Sequence, residues 1–260
     1  MKYELRTAFL MLGLFFFAQI TGLFIINQNF EHYGVENFRN NELFSDAIFT
    51  LPVSIIIFSL LFLLIYKLNM KKLLIVWYAF AFIACVTISL SSFINFYYAV
   101  FISACLLLLK FVSNDDFLHN MLELLVYGGI AVVVIPLLSP VSAILLLIII
   151  SIYDFIAVYF SKHMIILAKT QFALNIFSGL QIRTGGKGAI LGGGDIAFPL
   201  ILAGVMLRDY SAINAILIIY GSLIGLTILI LTGEDDKFYP AMPFITMGCL
   251  FGYVLGLFFL

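Results

Sequence analysis

The sequence predicts an all-α fold: a polytopic membrane protein with nine transmembrane helices, built as one membrane domain over residues 1–260. Three observations predict it. The chain is 64% hydrophobic and 10% charged, where a soluble domain carries about 25% charged residues. Its apolar residues gather into segments close to the ~20 residues that cross a hydrocarbon core. Its lysines and arginines lie mostly in alternate loops, as the positive-inside rule requires. The net charge of −1 sets up no field for nucleic acid.

The first segment, about 7–27, follows Lys2 and Arg6. Its length and the lack of a small-x-small cleavage pattern favour a spanning helix over a removed signal peptide. Segments at about 48–66, 73–91 and 93–109 follow, the last two almost joined through Ser91-Ser92. The fifth, 120–138, closes at Pro136, and Ser139-Pro140 turns the chain into the sixth, 141–160. The last three are 188–207, 212–232 and 239–259. Between the sixth and seventh, residues 161–187 mix Lys162, His163, Lys169, Gln171, Asn175 and Arg183 with apolar residues, which fits a surface amphipathic helix or a connector. Gly185, Gly186 and Gly188 loosen the backbone beyond it.

With the N-terminus inside, the inner loops hold Lys2, Arg6, Lys67, Lys71, Lys72, Lys110, Lys162, Lys169, Arg183, Lys187 and Lys237, and the outer loops only Arg39 and Arg208. This asymmetry supports an odd number of crossings, a cytoplasmic N-terminus and a C-terminus on the outer side. Gly221 and Gly225, then Gly248, Gly252 and Gly256, recur every four residues, the spacing that brings two helix backbones together. Cys85, Cys105 and Cys249 lie in apolar runs without C-x-x-C spacing and read as packing residues. His32, His119 and His163 read as loop residues, Glu123 as interfacial, and Asp115-Asp116 and Glu234-Asp235-Asp236 as solvated charges.

Two carboxylates remain well inside apolar runs: Asp154, after Tyr153, and Asp195, after Gly192-Gly193-Gly194. A charged Asp at the centre of a membrane helix costs roughly 2.5–3.5 kcal/mol on insertion scales. Asp154 stands about six residues, ~9 Å, from the end of its segment, and Asp195 about seven residues, ~10 Å, from the start of the next. Both depths are measured from one membrane surface, and consecutive antiparallel helices are usually neighbours. A pair of carboxylates within reach of each other shares one proton, because two like charges a few ångströms apart do not both ionise cheaply. One then serves as general base on a water while the other, protonated, polarises a peptide carbonyl.

The glycines before Asp195 allow two readings: tight packing between two helices, or a side-chain-free strip that pairs with an extended substrate backbone. Pro240-Ala241-Met242-Pro243, at the start of the last segment, is either a helix start with Pro in its first turn or irregular backbone lining a cavity.

Tyr153-Asp154, Gly192-x-Gly194-Asp195 and Pro240-Ala241-x-Pro243, in this order on the sixth, seventh and ninth of nine segments, resemble the presenilin and signal peptide peptidase family of intramembrane aspartyl proteases. The resemblance spans the whole topology. It implies that Asp154 and Asp195 are the catalytic dyad, that Tyr153 is the aromatic neighbour of the first, and that Pro240 to Pro243 shape the active site and help recruit substrate. The chain departs from the family pattern at Met242, where Leu is usual, at Gly193, where a bulkier apolar residue is common, and in its short connector, which lacks the long hydrophilic loop of presenilin. The inside N-terminus looks like the presenilin orientation, which implies single-span substrates with outside N-termini. The compact chain looks like a microbial homologue in the cell membrane.

No cofactor or metal is expected. The expected partners are transmembrane substrates and the bilayer, with no obligatory subunit and with homo-oligomerisation left open. From another class, a proton- or ion-coupled transporter would also use buried aspartates and broken helices at Asp154 and Asp195, although no inverted repeat is visible. Prepilin peptidases share a G-x-G-D motif but lack the Pro-Ala-x-Pro element. The sequence has no H-E-x-x-H and no G-x-S-x-G, which disfavours zinc and serine protease chemistry.

Overall fold

The computed structural model describes residues 5–38, 44–68, 70–113, 115–161, 170–171, 174, 176–184, 187–233 and 239–258. Among them are nine α-helices: α1 (Leu5–Tyr33), α2 (Phe44–Lys67), α3 (Lys71–Ser91), α4 (Phe96–Val112), α5 (Asp116–Val134), α6 (Pro140–Ile156), α7 (Gly193–Asp209), α8 (Ala212–Thr232) and α9 (Met242–Leu257). Each coincides with one apolar segment of the sequence. By length and hydropathy, six are able to cross a membrane: α1, α2 from Thr50, α3, α5, α6 and α8. The helices α4 and α9 are apolar but shorter. The chain is an integral membrane protein by its helices and, as described below, by its family.

Local chemistry sets the ends of these helices. Asn95 caps α4 by accepting from the Tyr97 N–H at 3.1 Å, so α4 runs from 96 to 112 rather than 93–109. Asp115 accepts from the N–H groups of Phe117 and Leu118, which starts α5 at 116 rather than 120. These two caps are the ordinary Asx signal for a helix start. Ser139 and Ser142 form a reciprocal cap on α6, with Pro140 in its first turn.

The largest correction concerns the stretch after α6. That helix runs on into a π-helical turn, Ala157–Ser161. Residues 188–192, expected as the start of a helix, belong instead to strand β2 (Lys187–Gly192), paired antiparallel with β1 (Gly179–Thr184), Gly179 opposite Gly192 and Thr184 opposite Lys187. In β2, Ala189 and Leu191 are buried while Ile190 is exposed, the alternation of a half-buried strand, whereas in β1 Leu180, Gln181 and Ile182 are all buried. Most of the expected surface segment, including His163, lies outside the described residues, as do Glu234-Asp235-Asp236.

The core is built around α7. Eleven of its seventeen residues are buried, from Ile196 almost without break to Met206, as expected for a helix enclosed on all sides. It packs against α1, α5, α6 and α8. At its far end the buried Arg208 side chain donates to the carbonyls of Phe38 (3.0 Å), Ile135 (2.7 Å) and Leu138 (2.7 Å), tying three chain segments together. The helices α8 and α9 lie backbone to backbone: a Cβ on Gly221 would stand 2.1 Å from the Gly248 carbonyl oxygen, and one on Gly225 2.2 Å from that of Phe244. The glycine stripes read from the sequence are this contact.

Candidate active site

Asp154 sits in the last turn of α6, just before the π-helical turn, and is 6% exposed. A π-turn widens a helix locally and recurs at functional sites. The Asp154 carboxylate accepts from the Met242 N–H at 3.2 Å. Met242 and Pro243 open α9. Thus Pro240 to Pro243 is both a helix start with Pro in the first turn and the backbone that holds Asp154. The first N–H groups of a helix have no partner within it and carry its positive dipole end, so they suit a carboxylate.

Asp195 occupies the third position of α7, where β2 ends and the helix begins. It is half-buried, and its carboxylate folds back towards Gly192. The helices α6 and α7 pack together, and Asp154 lies close enough to act electrostatically on Asp195.

The three glycines separate by role. A Cβ on Gly192 would stand 3.1 Å from the Asp195 Oδ2. One on Gly193 would meet the Ser178 carbonyl oxygen at 3.0 Å and the Tyr127 ring at 3.3 Å. Gly194 is exposed, with only the Phe198 ring near its Cβ position. None has a positive φ, so close approach, rather than unusual backbone, makes Gly192 and Gly193 glycine. Two further features bear on the first turn of α7. Pro199 has no N–H to offer the Asp195 carbonyl one turn back. Gln19 on α1, fully buried, donates from Nε2 to the adjacent Ile196 carbonyl at 2.9 Å.

Tyr153 reaches α2, with its hydroxyl 3.1 Å from the Ser59 Oγ. Beyond the residues picked from the sequence, a buried polar group stands beside the site. Glu123 and Lys110, expected at the interface and in a loop, are 0% and 6% exposed and form an ion pair. His119, expected in a loop, lies on α5 and donates to the Gly179 carbonyl at 3.0 Å. Asp116, expected to be solvated, accepts from the Gln181 side chain at 3.2 Å. The signal in the sequence was two opposite charges, Lys110 just past the fourth apolar segment and Glu123 about a turn into the fifth; such charges usually pair.

Fold and site together define a class: membrane-embedded proteins with a pair of acidic side chains on adjacent helices, one held by a broken helix start. Residues 12–260 match the family described as "Signal-peptide peptidase, presenilin aspartyl protease". The chain belongs to this family, and by that membership it is an intramembrane aspartic endopeptidase. Crystal structures of a presenilin family intramembrane aspartate protease share its fold. The C222 form superposes with a TM-score of 0.65 at 18% identity, covering 94% of each chain. The P2 form gives 0.65 at 19% identity, covering 96% of this chain and 97% of the other. No curated protein matches the sequence.

Proposed function

We propose that the chain hydrolyses peptide bonds within transmembrane segments of substrate proteins, with Asp154 and Asp195 as the catalytic dyad and a water as nucleophile. The ionised member of the pair takes a proton from the water, whose oxygen bonds to the scissile carbonyl carbon. The protonated member donates to the carbonyl oxygen. Collapse of the tetrahedral intermediate breaks the C–N bond, and the leaving nitrogen takes a proton from the dyad. Acid and base roles belong to the pair rather than to either residue.

One observation carries this reading: three motifs far apart in sequence converge. Asp154 is bonded by the backbone N–H of Met242, and it acts electrostatically on Asp195 of the next helix. Gly192 to Gly194 and Pro240 to Pro243 then shape the cleft. Strand β2 supports a role in substrate pairing, because it runs into the dyad loop and pairs on one side only among the described residues. A transmembrane helix must unwind before a protease reaches its backbone, and an added strand would hold it extended.

We further assign nine crossings, a cytoplasmic N-terminus, single-span substrates with outside N-termini, a microbial cell membrane, and activity without partner subunits. The test uses purified protein in liposomes with a synthetic transmembrane peptide. A hydroxyethylene isostere of the tetrahedral intermediate should inhibit cleavage competitively. Cleavage unaffected by saturating isostere, or aspartate-dependent ion flux without any cleavage, would contradict the proposal.

A further inference from the structure

Four polar residues of α5, Asp116, His119, Asn120 and Glu123, follow the i, i+3, i+4, i+7 spacing of a single helix face. In an apolar helix such a stripe usually faces other protein rather than lipid. Here it faces β1 and the residue before it. His119 donates to the Gly179 carbonyl (3.0 Å). Asn120 donates from Nδ2 to the Gln181 carbonyl (2.8 Å) and accepts the Gln181 N–H on Oδ1 (3.0 Å), so one side chain satisfies a strand residue as a neighbouring strand would. Asp116 takes the Gln181 side chain.

Glu123 completes the stripe and is its one fully buried carboxylate. One oxygen pairs with Lys110 of α4, whose ammonium also lies 5.2 Å from the Tyr78 ring centre and 5.0 Å from that of Phe82. The other accepts the Ser178 hydroxyl at 2.8 Å. The carbonyl of the same serine accepts the Gly193 N–H at 3.2 Å, and Gly193 opens the helix two residues before Asp195. An apolar pair of similar volume is often as stable as a buried ion pair, so stability alone does not explain an ion pair placed here. Its second oxygen is committed to a residue whose carbonyl bonds the start of α7.

We propose that the α5 stripe, locked by Lys110, is the positioning device for Asp195: Glu123 fixes Ser178, and Ser178 fixes the start of α7. These are positioning residues; they touch no reacting atom. The proposal rests on the dyad reading above.

The experiment measures steady-state cleavage of a synthetic transmembrane peptide by purified protein in liposomes. Ser178→Ala keeps the carbonyl bond to Gly193 but removes the hydroxyl. It should lower kcat roughly 10- to 100-fold, the cost of a sub-ångström to ångström misplacement, with KM within about twofold. Ser178→Thr, which keeps a hydroxyl, should restore most of kcat. The paired variant Lys110→Met/Glu123→Leu removes both charges together and leaves neither unpaired. It should lower kcat to the same degree, and adding Ser178→Ala to it should lower kcat no further, since the groups act as a unit. Wild-type kcat in Ser178→Ala and in the paired variant, or losses that multiply, would overturn the proposal. So would losses that track the thermal unfolding midpoint instead of kcat. Asp195→Asn runs alongside. If it still cleaves, the dyad reading falls and takes this one with it; if it is inactive while Ser178→Ala is unimpaired, only the positioning role falls.

Discussion

At Gly192 the absent side chain matters more than the flexible backbone. Its backbone is extended, with φ −65° and ψ 147°, which any residue adopts. A side chain there would crowd the Asp195 carboxylate, 3.1 Å from where a Cβ would stand, and the carboxylate would have to give way. Gly192→Val should therefore lower kcat by roughly 10- to 100-fold by displacing the acid, while the thermal unfolding midpoint in detergent shifts little. A large fall in the midpoint with a normal kcat for the folded fraction would show that Gly192 serves packing alone. Gly193 follows the same logic. The family resemblance leads one to expect a bulkier residue there, but the Tyr127 ring and the Ser178 carbonyl already fill the space. Nothing local to Gly193 in sequence announces this, because both neighbours come from other parts of the chain. Asp154 and Asp195 themselves were legible: two acids inside apolar runs have few bland explanations. Glu123 was less legible, because its partner Lys110 lies across a loop and each charge, taken alone, reads as interfacial.

Among the elements, helices were legible and the ribbon was not. Periodicity and length find apolar helices well, but a short apolar run beside glycines is ambiguous between strand and helix. Lys187 to Gly192 is such a run, continuous with the apolar face of α7. Two signals pointed the other way: Leu180 and Ile182 alternate with polar Gln181 and Arg183, and Gly185-Gly186 is a two-residue break between the strands. The consequence for depth is that Asp195 lies at a strand-to-helix junction rather than two turns inside a helix. The helices α8 and α9 connect packing to the site more directly. Gly225 abuts the Phe244 carbonyl, two residues from the Met242 N–H that holds Asp154. Gly225→Leu must push α9 away, since a Cβ there would meet backbone at 2.2 Å. Cleavage should fall at least 10-fold, as ångström shifts at a reacting group allow, even where the protein remains folded by circular dichroism. Undiminished cleavage would mean that the start of α9 is not needed at Asp154.

On the scale of the whole molecule, composition gave the membrane class before any coordinates, and loop charge is the basis of the orientation assigned above. They did not give the packing order, in which α7 is enclosed by α1, α5, α6 and α8, because lipid-facing and protein-facing apolar residues look alike in a sequence. The assigned orientation makes a prediction of its own. In a cysteine-free background, a single cysteine at Tyr33, the last residue of α1, should react with a membrane-impermeant maleimide added to intact cells. One at Leu68, just past α2, should react only after permeabilisation. The reverse pattern would invert the molecule and with it the class of substrate.

The most direct measurement is cleavage of a transmembrane peptide by the purified protein in bilayers, with the product bond located by mass spectrometry, for the wild type, Asp154→Asn and Asp195→Asn. The wild type should cut within the membrane-spanning part of the peptide. Each single variant, nearly isosteric and still able to hydrogen-bond, should lose cleavage by more than about 1,000-fold, because neither carboxyl group alone supplies both a base and an acid. Cleavage retained by either variant would contradict a shared hydrolytic site at Asp154 and Asp195.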